Sequence, residues 1–69
     1  MGVINILVNG ETREVSGEID LDQLLEFFLL PKQRIAIELN NSVVRRTDWP
    51  ITHVTNGDKL EVVHFVGGG

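Results

Sequence analysis

The chain predicts an α+β fold in which a mixed sheet of four to five strands packs on one helix. Three observations lead there. Apolar residues alternate with period two near the start, in the middle and at the end of the chain. One stretch, residues 19–31, changes to helical spacing. Turn-forming pairs such as Asn9-Gly10 and Asn56-Gly57 separate the strand-like runs. Sixty-nine residues make one small domain, which buries only about 60% of its unfolded surface.

Each element has its own signal. In "VINILVNGETREVS", Ile4, Ile6 and Val8 alternate with Asn5 and Leu7, and residues 12–15 form the return strand. Asn9-Gly10 between them supplies the positive backbone angles of a type I′ turn. In "IDLDQLLEFFLLPK", Leu21, Leu24, Leu25 and Phe28 fall on one helix face. Asp20 caps that helix and Gln23 completes a capping box, with Ile19 and Leu24 placed for a hydrophobic staple. Asp20 and Asp22 suit the positive end of the helix dipole, so they are not read as a catalytic pair. Pro31 is expected to stop the helix.

The second half returns to strands. Ile35, Ile37 and Leu39 point inward, a turn falls at Asn40-Asn41, and Val43-Val44 forms a short strand. Trp49-Pro50 favours extended or turn geometry, with the indole over one end of the core. In the closing strand Leu60, Val62, His64 and Val66 alternate with Lys59, Glu61, Val63 and Phe65. The order strand, strand, helix, strand, short strand, strand allows the helix to cover one face of the sheet. That is the β-grasp, or ubiquitin-like, arrangement. Residues 1–66 are expected to form this domain and residues 67–69 a flexible glycine tail.

Composition excludes several classes. Ten acids against six bases give a net charge of −4, which argues against nucleic acid as a partner. No cysteine is present, so no disulfide or thiolate metal site is possible. No span is apolar enough for a membrane; the run at 27–30 is far too short. Met1-Gly2 lacks the Ser or Thr at position 6 that a myristoylation signal needs. Asn40-Asn41-Ser42 fits a glycosylation sequon but reads as a turn in a soluble, cytoplasmic protein.

Ordinary catalytic groups are sparse. Ser16 and Ser42 fall in expected turns, where hydroxyls cap backbone. His53 and His64 match no metal-ligand spacing, although a pairing across the sheet stays open. Gly67-Gly68-Gly69 follows a strand and precedes no helix, unlike a phosphate-cradling loop. The remaining handle is the main-chain carboxylate of Gly69, able to attack the α-phosphorus of ATP in a partner's site. Glycine lets a tail thread a narrow channel and leaves its acyl carbon unhindered. Three residues extend about 10 Å at about 3.3–3.6 Å each. A frayed end is the plain alternative, but Val63 and Phe65 put apolar surface beside that tail, as a docking face would.

"IAIELNNSVVRRTDW" followed by "NGDKLEVVHFVGGG" resembles the ThiS family, the sulfur carriers of thiamine biosynthesis. The resemblance rests on an Ala-hydrophobic-Glu-hydrophobic-Asn strand, the Arg46-x-x-Trp49 segment, the Gly-Asp turn and the terminal glycines. It implies that an E1-like enzyme of the ThiF type, using ATP and magnesium, adenylates Gly69, with Gly68 the second glycine of the pair. A sulfur donor protein then supplies the sulfur of a terminal thiocarboxylate, which a thiazole synthase of the ThiG type takes up. Such a carrier is a protein cosubstrate rather than an enzyme and binds no cofactor itself. Gly67 is a departure from the pattern and loosens the junction with the domain.

Two alternatives are weighed beside this. The small subunit of molybdopterin synthase (MoaD) shares the fold and the thiocarboxylate, but tends to carry a proline before its glycines. A noncovalent β-grasp interaction module would leave the tail inert. Docking on the activating enzyme is expected through Leu7, Val63 and Phe65, with Arg45 or Arg46 meeting acids at the rim.

Overall fold

The computed structural model describes residues 2–65. Strands β1 (Val3–Val8) and β2 (Glu11–Ser16) pair antiparallel from Val3↔Ser16 to Val8↔Glu11. Asn9 and Gly10 stand at φ 51° and 84°, the two positive angles a type I′ turn demands. Ser16 ends β2 rather than lying in a turn; its hydroxyl accepts from the Glu18 N–H at 3.4 Å.

Helix α1 (Leu21–Phe27) starts as its sequence dictates. The Asp20 carboxylate accepts from the Gln23 N–H at 2.7 Å, and Gln23 Oε1 accepts from the Asp20 N–H at 3.1 Å. Leu21, Leu24 and Leu25 are fully buried. The helix ends before Pro31 can act. Phe28 is the C-cap, Leu29 turns to φ 58°, and the Leu30 N–H donates to Leu25 O while the Leu29 N–H donates to Glu26 O. This is a Schellman motif with leucine where glycine is usual.

Strands β3 (Ile35–Leu39) and β4 (Ser42–Val44) form a second hairpin, closed by Asn40 and Asn41 at φ 52° and 73°. Ser42 therefore opens a strand, not a turn. Of the extended and turn geometries expected for Trp49-Pro50, the structure takes the turn: the pair lies in a 3₁₀ helix, Arg46–Ile51. Burial of the indole explains the choice: Trp49 is 2% exposed and its Nε1–H donates to Val44 O at 3.1 Å. The Thr52 hydroxyl donates to Asp48 O at 2.6 Å and tightens the same turn.

Strand β5 (Lys59–His64) enters the middle of the sheet, whose order is β2-β1-β5-β3-β4. It runs parallel to β1 and antiparallel to β3, the mixed topology the sequence predicts. One sheet face carries Ile6, Val15, Ile37 and Leu60 into the core with α1, Trp49 and Val54. Among the described residues the core holds no buried polar or charged side chain. The opposite face is left uncovered by the helix.

Candidate functional site

The site is the open sheet face together with the end of β5 that leads to the tail. Gly67, Gly68 and Gly69 lie outside the described residues, so the site is built here from what precedes them. Strand alternation decides which side chains share the open face. On β5 these are Lys59, Glu61 and Val63, with Phe65 just after the strand; on β3, Ala36 and Glu38; on β4, Val43.

Register arranges them in rows. Phe65 comes first, its N–H donating to Arg34 O at 2.9 Å. Next, Val63 sits opposite Ala36, and Arg45 continues the line of β4 to that level in extended geometry. In the following row Glu61 faces Glu38, which faces Val43. Val63, Phe65 and Val43 are 46%, 47% and 68% exposed. The site thus has apolar ground at the tail end, with arginines Arg34 and Arg45 beside it.

Not every expected residue joins this patch. Leu7 is exposed on the same face but pairs with Lys59. Val63 is four residues farther along β5, about 13 Å at about 3.3 Å per residue. Arg46 is engaged elsewhere, with its guanidinium 4.6 Å from the centroid of the Trp49 ring. Val63, Phe65 and Arg45 are the members that the structure brings together.

Sequence reading missed Ala36, Val43 and the Glu38–Glu61 pair. Two carboxylates directly opposite are unfavourable in an antiparallel ladder, and no salt bridge answers either among the described residues. Periodicity placed all four residues on strands; it could not say which stand side by side.

The histidines do not meet in a paired ladder. His53 makes an isolated bridge with Asp20, whereas His64 lies opposite Ile35. No group of three potential metal-binding side chains occurs among the described residues. The concave surfaces are shallow, such as that between Ser16, Ile19, Gln23 and Phe27. None of the described helices is long and apolar enough to cross a membrane.

Comparison with known proteins decides what this arrangement belongs to. The ThiS family profile matches residues 6–69, nearly the whole chain. The chain belongs to the ThiS family. A crystal structure of the thiamine biosynthesis protein ThiS from Geobacter metallireducens superposes with a TM-score of 0.85 at 30% identity, covering 96% of this chain and 100% of that one. The uncharacterized protein ycf40 of Pyropia yezoensis is 39% identical over 66 residues, spanning 96% of this chain and 93% of its own. Paramagnetospirillum magneticum thiazole synthase is 33% identical over 66 residues, but the match is 20% of that protein's length. The chain therefore spans one-fifth of the thiazole synthase it resembles. The five-stranded sheet on α1 is the ThiS β-grasp.

Proposed function

We propose that this ThiS-family chain is a sulfur carrier whose Gly69 is adenylated, converted to a thiocarboxylate and drained of sulfur during thiazole formation. The observation that carries the reading is that the family match runs from residue 6 through Gly69, taking in the glycine tail as well as the sheet. A carboxylate oxygen of Gly69 attacks the α-phosphorus of magnesium-bound ATP in a ThiF-type enzyme, and pyrophosphate leaves. A sulfide-level nucleophile from a sulfur donor protein then attacks the acyl carbon, AMP departs, and C(=O)S⁻ remains. The chain supplies the acyl group and the grip, and the partner supplies catalysis.

The thiazole synthase relative supports a ThiG-type acceptor. A segment like this chain lies within that protein, and tethering of this kind raises effective concentration between carrier and acceptor. The exposed Val63–Phe65 ground gives the partners a surface to grip next to the reactive end.

The direct test is pyrophosphate release with the ThiF-type enzyme and magnesium-ATP. We expect release with the unaltered chain and none after deletion of Gly69 or addition of one residue beyond it. Full adenylation of the extended chain would contradict the proposal.

A further inference from the structure

We infer that Asn9 is a positioning residue for the chemistry at Gly69: its carboxamide stands in for the missing strand beside Val62 and holds the end of β5 in place. The inference rests on the function proposed above. Its starting point is how little of β5 is covered on the β1 side. The parallel ladder there consists of Leu7↔Lys59 and Val8↔Leu60. Beyond Val8 the chain must turn back into β2, so β1 ends while β5 continues to His64. On its other side β5 stays paired with β3 up to Ile35↔His64. The strand's exit would thus be held on one side alone.

Asn9 fills that gap. Its own N–H donates to Leu60 O at 2.9 Å. Its side chain then takes both main-chain groups of Val62: the Val62 N–H donates to Asn9 Oδ1 at 2.7 Å, and Asn9 Nδ2 donates to Val62 O at 3.3 Å. One donor and one acceptor are what another strand's peptide group would have offered. The turn does not explain this. A residue at φ 51° could be glycine or aspartate as readily as asparagine, yet of these asparagine alone carries both a donor and an acceptor. The bonds clamp β5 at Val62, five positions before Gly67.

A matching pair of bonds at the far end of the ladder gives the control. Asn56 Oδ1 accepts from the Asn5 N–H at 2.9 Å, and the Gly57 N–H donates to Asn5 O at 2.8 Å. That clamp also ties β1 to the segment before β5, but it is remote from the tail.

The test compares Asn9→Gly, which keeps the positive-φ turn, with Asn56→Ala, using pyrophosphate release by the ThiF-type enzyme. Thermal melting sets the folded fraction of each. For Asn9→Gly we expect kcat per folded molecule to fall about threefold to tenfold with KM unchanged, since docking survives while delivery loosens. For Asn56→Ala we expect lowered thermal stability with unchanged kcat. Equal kcat in the two variants, or a loss confined to KM, overturns the inference alone. No release from the unaltered chain overturns the proposed function and this inference with it. Should Asn9→Gly not fold, Asn9→Asp, which keeps the acceptor for Val62 and lacks the donor, is read by the same kcat comparison.

Discussion

Leu29 is held at φ 58° with 91% of its surface exposed. A left-handed conformation costs an L-residue about 1–2 kcal/mol, and an exposed side chain recovers little of that by packing. Glycine would remove the strain, although it frees the unfolded chain by about 0.4–1 kcal/mol. We expect Leu29→Gly to stabilise the domain by about 0.5–1 kcal/mol, with a thermal midpoint several degrees higher. A lower midpoint would show that the leucine packs usefully in solution. Single residues also mark where sequence reading reached its limit at the site. Val63 and Phe65 were legible as outward-facing because alternation along one strand is local. The Glu38–Glu61 pairing was not, since cross-strand register joins residues far apart in the chain.

Among the elements, α1 is braced from outside by Lys32, whose ammonium lies 2.6 Å from Glu26 and 3.2 Å from Asp22. The hydrogen bond to Glu26 foremost, with Asp22 adding to it, raises the Lys32 pKa above its ordinary 10.5. A raised folded value means the stabilisation is complete below about pH 10.5 and is lost as pH rises through the folded value. We expect the difference in melting midpoint between the unaltered chain and Lys32→Met to hold through neutral pH and to shrink above about pH 10.5. A constant difference into strong alkali would contradict this. How α1 begins was legible because Asp20 and Gln23 announce a capping box. How it ends was not, because the Schellman turn puts leucine where glycine would have signalled it, and Pro31 drew attention further along. At Trp49-Pro50 local preference left extended and turn geometry open, and a buried indole bonded to Val44 O selected the 3₁₀ turn. Packing thus chose between local alternatives at Trp49, whereas local backbone bonds ended α1.

At the scale of the whole molecule, the helix side of the sheet is packed and the other side is open, so side chains on the open side can be changed with little effect on the core. Phe65 belongs to the open side, and its backbone bond to Arg34 O does not depend on its side chain. Phe65→Asp should therefore change folding stability by less than about 1 kcal/mol. It should cost about 2 kcal/mol or more in binding to the ThiF-type enzyme, roughly 30-fold. Unchanged affinity in titration calorimetry would assign docking to another face. The most direct measurement of the central claim is intact mass of the chain after incubation with the ThiF-type enzyme, magnesium-ATP and a sulfur donor. We expect the gain of one oxygen-to-sulfur exchange, located at Gly69 by fragmentation. An unchanged mass while the same enzyme preparation activates another carrier, or sulfur found on any other residue, would contradict the account.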